Sequence, residues 1–169
     1  MEITKCLNEW NAIIEALGQG KQSILIRKNA THLTEFLLYP TITYAKKSEV
    51  LNSFKDIEFV KDNLLPNGDE GYEVKYYATV EDIVDVPPTR IDTFDKFHIW
   101  TQDHVKNYLK RNNAKIWLLR IYKLDNPKKL KRSWSMMYSN VEKPIKLEGK
   151  PVIPDEEFEK LKEEILNIH

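Results

Sequence analysis

The segment YEVKYYATV, residues 72–80, alternates between apolar and polar side chains and predicts a β-strand. Successive side chains of a strand point to opposite faces. One face is therefore apolar and the other mainly polar; the apolar face is Tyr72, Val74, Tyr76, Ala78 and Val80. A strand with one buried and one solvent-exposed face is typical of antiparallel sheets.

Further strands are predicted on both sides of this segment. Lys115–Leu124 is the strongest of them, because Trp117, Leu119 and Ile121 form one of its two faces. Shorter apolar runs predict strands at 23–28, 36–39, 57–60, 83–86 and 133–138. Pro40 is expected to end the second of these runs, since proline lacks the N–H that a strand ladder needs.

Helical spacing of apolar residues predicts most of the remaining elements. A first helix is expected to begin at Thr4 and to end at Gly18 and Gly20. Its inner stripe is Leu7, Trp10, Ile14 and Leu17. Helical segments are also predicted at 46–54, 92–97, 101–112 and from 155 onward. The polar segment 142–151 contains two prolines and is interpreted as a linker or hairpin loop.

The predicted strands do not alternate with long helices, which disfavours a doubly wound parallel sheet. We therefore predict an α+β fold. It has a mixed, mainly antiparallel and partly rolled sheet, peripheral helices and a C-terminal helix. Residues 1–150 are expected to form a single domain, with 151–169 as a helical appendage.

Composition limits the class of protein. Cys6 is the only cysteine, so an internal disulfide is excluded, and we interpret it as a small buried apolar group. No apolar run approaches the roughly 18 residues of a membrane span. We expect a soluble, cytoplasmic protein, and its Lys/Glu-rich composition is typical of thermophiles.

Charge is segregated along a chain whose net charge is zero. Residues 101–140 contain ten basic and two acidic residues, a net charge of +8, whereas residues 51–100 carry −6. Aromatic residues lie within the basic segment: Tyr108, Trp117, Tyr122, Trp134 and Tyr138. Cations beside flat rings are what a polyanion with stackable bases requires, so RNA or single-stranded DNA is the predicted partner.

Candidate phosphate-binding and stacking residues follow from this segment. The phosphate-binding residues are Lys128, Lys129, Lys131 and Arg132, and the stacking residues are Trp134, Tyr122 or Tyr77. Arg27 and Arg120 stand in otherwise apolar strands, where a charge needs a partner. That partner is either a phosphate or an internal acid such as Glu15 or Glu35. The alternative for the basic segment is that it binds nothing: its lysines lie on a solvated loop and its tryptophans are buried in the core.

Two other functions stay open at this point. Glu73 and Lys75 are predicted to share one face of a strand, as in Mg²⁺-dependent nucleases, with Asp56, Asp62 or Asp69 as a partner. Alternating charges are also ordinary on the wet face of a strand. The protein could instead be an interaction subunit or a homo-oligomer whose acidic and basic segments meet. We assign no catalytic residue, metal ligand or cofactor.

Several segments, in this order, resemble the prokaryotic domain-of-unknown-function 1802 family. They are EWNAIIEAL (9–17), GKQ (20–22), ILIRK (24–28), FLLYPT (36–41), HIWT (98–101), LLRIYKL (118–124), Pro127 and SW (133–134). The match runs from Trp10 to about Trp134. Residues 45–69 and the last helix lie outside it.

The resemblance implies a shared site rather than an activity, because the family has no established function. The residues it singles out are Arg27, Lys28, Pro40, Thr41, His98, Trp100, Thr101 and Arg120. The helix, the Gly20-Lys21 pair and the strand that ends in arginine are also similar to RNA-binding pseudouridine-synthase-associated (PUA-like) barrels. That similarity implies a barrel-like fold and RNA binding.

Overall fold

A computed structural model describes residues 1–41, 48–65, 70–135 and 137–168. In these residues, the strands are β1 (Glu2–Trp10), β2 (Ile24–Arg27), β3 (Glu35–Thr41), β4 (Tyr72–Val86), β5 (Ala114–Leu130), β6 (Tyr138–Lys146) and β7 (Gly149–Pro151). The α-helices are α1 (Asn11–Gly18), α2 (Ile57–Asp62), α3 (Gln102–Leu109) and α4 (Asp155–Ile168). Segments of 3-10 helix span Ser48–Ser53 and Pro88–Phe97.

The strands form one rolled, mainly antiparallel sheet in the order β2-β5-β4-β3-β1-β6, with β7 paired to β5. Only β1 and β3 run parallel in the described part of the chain. The sheet does not close, but the chain just after β5 reaches β6. There, the N–H of Ser133 donates to Asn140 O at 2.9 Å, and that of Glu142 to Lys131 O at 3.0 Å. The predicted α+β class and partly rolled sheet are confirmed.

Apolar clusters lie on both faces of the rolled sheet, because alternate side chains of each strand point to opposite faces. The main cluster includes Leu7, Phe36 and Trp117, and the second includes Cys6 and Leu37. Burial raises the pKa of the Cys6 thiol to about 11, so it stays protonated at neutral pH. This agrees with its interpretation as a small buried group.

The predicted first helix is wrong over its first half. Glu2–Trp10 is a strand, and the helix begins only at Asn11. β1 lies between β3 and β6 and shares backbone hydrogen bonds with both. It also buries Cys6 and Leu7 on opposite faces, which a one-sided helical stripe does not do. Pairing on both edges outweighed the local helical spacing.

β4 is longer and less regular than its sequence pattern indicates. The separate strands predicted at 72–80 and 83–86 are one strand with register shifts near residues 75 and 81. The register shift near residue 75 places the side chains of Val74 and Tyr76 on different faces of the sheet. Val74 packs in the second cluster and Tyr76 in the main one, so the predicted common face of these two residues is wrong.

Four other predictions are corrected by the strand pairing and capping. Pro40 lies inside β3 rather than ending it; β3 pairs with β4 only as far as Leu37, so the missing N–H breaks no ladder bond there. Residues 57–60 are helical, because Asp56 accepts a capping hydrogen bond from Phe59 N at 3.0 Å. The segment 142–151, predicted as a linker or hairpin loop, is mostly β6 and β7. Of the predicted strand at 133–138, only Tyr138 is in a strand among the residues that the structure describes.

The helices α3 and α4 follow their sequence signals. Thr101 caps α3 by accepting a hydrogen bond from His104 N at 3.1 Å, as predicted. The apolar stripe of α4 buries Phe158 and Ile165 in the main cluster. The division of the chain at residue 150 stays a prediction. The segment PNGD, residues 66–69, has a composition that predicts a turn, but it lies outside the described residues. No described helix is long and apolar enough to cross a membrane.

Candidate nucleic-acid interface

A cleft opens where β1, β2 and β3 end. Trp10, Arg27 and Thr41 are the last residues of these strands. The cleft consists of two cavities of about 310 Å³ each, which share Glu9, Trp10 and Arg27. One cavity lies against α3 and the other against the segment after β5, so elements distant in sequence form its two ends.

The first, which we call the aromatic cavity, is lined by four rings. The residues beyond the three shared ones are Ile26, Trp100, His104, Val105 and Tyr108. Capping of α3 at Thr101 directs one face of that helix into the cavity. Phe54 supports both tryptophans: its ring lies 5.7 Å from that of Trp10, and its backbone forms a bridge with Trp100. Rings fixed in this way form a ready stacking surface.

An ion pair between Glu9 and Arg27 forms the wall common to both cavities. Arg27 Nη2 donates to Glu9 Oε2, and the backbone N–H of Trp10 donates to Glu9 Oε1 at 2.9 Å. The side chain of Glu9 is only 10% exposed, and that of Arg27 is 19% exposed. Burial opposes the charge of Arg27, but Glu9 and Tyr108 together outweigh it and hold the pKa of the guanidinium above its usual value. An internal acid was a predicted alternative for Arg27; it is Glu9, not Glu15 or Glu35.

The second cavity, which we call the basic cavity, contains the guanidinium of Arg132, which pairs with no carboxylate among the described residues. Its further residues are Asn8, Thr41, Arg132, Trp134 and Ser135. Arg132 Nη1 donates to Ser135 O and Ser139 Oγ, each at 3.2 Å, and its guanidinium lies 5.5 Å from the Tyr39 ring. Among the described residues, no carboxylate lies within 4 Å of Arg132. Trp134 is 88% exposed beside it.

The two histidines near the aromatic cavity are neutral at pH 7. Burial lowers the pKa of His104, although Glu9 partly offsets this effect. Burial and the neighbouring Lys55 lower the pKa of His98 to about 4. His98 is 5% exposed and packs behind Trp100 at 5.6 Å between ring centroids, so it supports the cavity from outside.

The other predicted site residues lie in three places. Lys28 stands 4.9 Å from the ring of Tyr108, at the rim of the aromatic cavity. Exposed lysines continue from the basic cavity along the end of β5; they are Lys128, Lys129 and Lys131. Arg120 lies outside the cleft. It donates to Asp155 Oδ1 at 2.5 Å and to Ile153 O at 3.0 Å, and so joins β5 to the start of α4.

The residues of the nuclease alternative are held by other contacts. Lys75 Nζ pairs with Glu15 Oε1 at 2.8 Å, whereas Glu73 is exposed opposite Lys129. Asp56 caps α2, and Asp69 lies outside the described residues. In the described ranges no three acidic, histidine or cysteine side chains form a group that could hold a metal ion. Among the residues that the structure describes, no observation favours this alternative.

Part of the charge segregation is neutralised within the molecule. Lys106 pairs with Asp92 and Lys115 with Asp85, each at 3.2 Å. These pairs join the basic and acidic segments of one chain. Described cations without a carboxylate within 4 Å include Lys128, Lys129 and Lys131 at the end of β5 and Arg132, and others lie elsewhere on the molecule.

The cleft thus joins Arg27, Lys28, Trp100, Arg132 and Trp134, which had been singled out in the sequence. The residues that the sequence interpretation missed are Asn8, Glu9, Trp10, His104 and Tyr108. Trp10 was placed on a helical stripe, and Tyr108 was noted only as one ring of the basic segment. The signal for Glu9 is its position at the end of a strand, which the predicted helix concealed.

The chain belongs to the family described as domain of unknown function (DUF1802), whose model matches residues 6–164. The predicted resemblance is therefore confirmed, and it extends beyond Trp134 into α4. No curated protein sequence matches the chain.

The fold is similar to that of an ASCH protein from Zymomonas mobilis. The structure of that protein gives a TM-score of 0.53 at 14% identity, covering 94% of this chain and 93% of the other. Two mutants of it give TM-scores of 0.53 and 0.51 at the same identity, covering 94% of this chain and 94% and 96% of theirs. At this identity the likeness concerns the fold alone, and the expected PUA-like architecture is compatible with it.

Proposed function

We propose that this protein is a nucleic-acid-binding module that holds single-stranded RNA or DNA in the cleft. The observation that carries the proposal is the pair Arg132 and Trp134 at the mouth of a cleft lined by aromatic rings. A phosphate contact and a stacking surface lie side by side there. Recognition of a single strand requires both a phosphate contact and a stacking surface.

Arg132 is suited to a phosphate because its donors are only partly used. Guanidinium has five N–H donors in a flat fork. Among the described residues, the protein acceptors of Arg132 are reached from Nη1 alone. Contacts from Nη1 hold the group in place, and the other nitrogens remain for a phosphate oxygen.

Trp134 is suited to a base because nothing in the described structure covers it. A large aromatic side chain that is 88% exposed has no packing role in the free protein. Stacking of one base on such a ring is worth about 1–3 kcal/mol. The exposed lysines 128, 129 and 131 extend the positive surface along the path of the strand.

The basic segment and the fold give further support. The net charge of +8 in residues 101–140 attracts a polyanion, and the pairs with Asp85 and Asp92 remove only part of it. The expected similarity to RNA-binding PUA-like barrels is compatible with this function. A fold likeness alone does not establish a ligand, so binding must be measured.

The test is fluorescence anisotropy with labelled single-stranded RNA and DNA of mixed sequence at low and moderate salt. We expect saturable binding that weakens as salt rises. Trp134→Ala should weaken it by about tenfold, and Trp134→Phe should restore most of the affinity. Binding that is absent at low salt, or unchanged in Trp134→Ala, would overturn the proposal.

A further inference from the structure

We propose that the aromatic cavity takes one unstacked guanine base, whose Watson–Crick edge donates to the carboxylate of Glu9. The inference rests on the proposed function and deepens it by naming the base that the cleft selects. It follows from the polar groups of the cavity, from their charge balance and from the rings around them.

A carboxylate is an unexpected group in a phosphate-binding cleft, because it repels phosphates. Glu9 nevertheless lines both cavities and is held on two sides, by Arg27 Nη2 and by the backbone N–H of Trp10. Its pairing with Arg27 leaves this wall with no net charge. A neutral ligand therefore fits the aromatic cavity better than a phosphate or an ammonium group.

Counting acceptor sites narrows the choice among neutral ligands. The two oxygens of a carboxylate offer about four lone-pair sites and no donor. In the described structure, one hydrogen bond from Arg27 and one from Trp10 use a site on each oxygen. One site on each oxygen remains. In the proposed complex, each of these sites accepts from one of two adjacent, parallel donors of the ligand.

Guanine is the common base that presents such a pair. Its N1–H and N2–H point in the same direction on the Watson–Crick edge, which proteins read when a base is unstacked. Adenine and cytosine place one amino group beside a ring acceptor, and uracil places its N3–H between two carbonyl oxygens. Those acceptors would face the carboxylate and repel it, so these bases should be rejected.

The remaining walls of the cavity suit a flat heterocycle. Trp10, Trp100 and Tyr108 supply ring faces, and His104 adds an imidazole whose centroid is 6.3 Å from that of Trp100. Ile26 and Val105 supply aliphatic surface. The volume of about 310 Å³ lies at the lower end of small-ligand pockets, which span about 300–1,000 Å³.

The position of the cavity relates the base to the rest of a strand. The aromatic and basic cavities share Glu9, Trp10 and Arg27. A nucleotide with its base in the aromatic cavity therefore has a neighbouring nucleotide at Arg132 and Trp134. Arg27 is a positioning residue in this account, because it acts on the base through the carboxylate that it orients.

The experiment compares short uridine oligonucleotides of equal length that carry one central guanosine, inosine, adenosine, cytidine or uridine. We expect the guanosine oligonucleotide to bind at least about tenfold more tightly than the other standard bases, because each charged hydrogen bond contributes substantially. Inosine, which lacks the N2 amino group, should fall between them. Glu9→Gln should abolish the preference while leaving salt-dependent binding to the strand.

A second variant keeps the inference falsifiable where Glu9→Gln perturbs folding. Tyr108→Leu removes a ring face and leaves the Glu9 carboxylate, so it should weaken all five oligonucleotides and preserve their order. Tight binding with equal affinity for every base would overturn the guanine inference and leave the proposed function standing. A lack of binding to all five would overturn both.

Discussion

Arg132 combines a structural role with an open functional one. Its Nη1 atom holds the segment at Ser133 and Ser135, and its remaining donors point toward no protein acceptor in the described chain. We expect Arg132→Gln to weaken single-strand binding by about five- to twentyfold, since a charge-assisted contact is lost. Arg132→Lys should restore only part of it, because lysine lacks the planar fork.

The control for this change is Arg90→Gln. Arg90 is exposed and donates to Ile168 O on α4, outside the cleft. Anisotropy titrations and thermal melts of the three variants at one salt concentration measure the effect. An equal loss of affinity in Arg90→Gln and Arg132→Gln would assign the loss to net charge rather than to the cleft.

His98 makes the stability of the protein sensitive to acid. Its pKa falls from 6.5 in the unfolded chain to about 4 in the folded protein, because burial and Lys55 oppose its charge. The neutral form is favoured by folding, so this contribution is complete above pH 6.5 and is lost as the pH falls toward 4. The lost stability is on the order of 3 kcal/mol.

Urea unfolding between pH 7 and pH 4 measures this contribution. We expect the midpoint of the native protein to fall over that range and the midpoint of His98→Gln to fall less, from a lower starting value. Parallel pH profiles of the two proteins would contradict the account.

Elements with a strong local signal were predicted, and those set by strand pairing were not. α3 carries an N-terminal cap, α4 begins with acidic residues and has a one-sided apolar stripe, and the first part of β5 is a mainly apolar run, so their sequences suffice. β1 has an apolar spacing that also suits a helix. Its pairing with β3 and β6 decides its structure, and no local pattern contains that information.

The same error explains what was missed at the site. The predicted helix leaves Glu9 off its apolar stripe, as one more surface charge. In the strand, Glu9 stands beside Arg27 at the wall of the cleft. Arg27, Arg132 and Trp134 were identified because an arginine in an apolar strand and a tryptophan among cations are conspicuous without any pairing. That they meet depends on the roll of the sheet.

α1 requires a glycine at its end for packing against β4. The Cα of Gly18 faces the Tyr76 ring so closely that a Cβ there would stand 2.2 Å from Tyr76 Cζ. The phenol of Tyr76 is fixed by donating to Glu15 Oε2 at 3.1 Å. We expect Gly18→Ala to destabilise the fold by about 1–3 kcal/mol through overpacking.

Chemical denaturation of Gly18→Ala beside Gly20→Ala separates this effect from backbone strain. Gly20 has φ +76°, and a Cβ there would make only ordinary contacts, the nearest with Ile153 Cγ1 at 3.7 Å, so its substitution should destabilise the protein through backbone strain alone. A double variant that pairs Gly18→Ala with Tyr76→Phe should stay destabilised. Wild-type stability of Gly18→Ala would show that the ring moves freely, against this description.

The N-terminal cap of α3 links helix stability to the aromatic cavity. Thr101→Ala removes the acceptor of the His104 N–H, and we expect a loss of about 1 kcal/mol. Affinity for the guanosine oligonucleotide should fall as well, because His104, Val105 and Tyr108 line that cavity. Thr101→Ser keeps the hydroxyl and should retain both properties. Equal behaviour of the alanine and serine variants would contradict the assigned role of the cap.

At the scale of the molecule, the end of β5 and Arg132 place several unpaired cations beside the cleft while the net charge stays at zero. Binding should therefore depend on salt through a few local phosphate contacts. The slope of log affinity against log salt is about 0.7 per phosphate contact for single strands. We expect Lys131→Gln to reduce the slope by about 0.7 and Lys160→Gln, an exposed change on α4, to leave it unchanged. Equal slopes for both variants would contradict this distribution.

The most direct test of the cleft as the binding surface is photo-crosslinking of an oligonucleotide that contains 4-thiouridine, followed by mass spectrometry of the crosslinked peptides. We expect crosslinks at Trp134 and at the rim residue Tyr108, and their loss when unlabelled strand is added in excess. Crosslinks confined to α4 or to the Pro88–Phe97 segment, with none on the cleft peptides, would contradict the account.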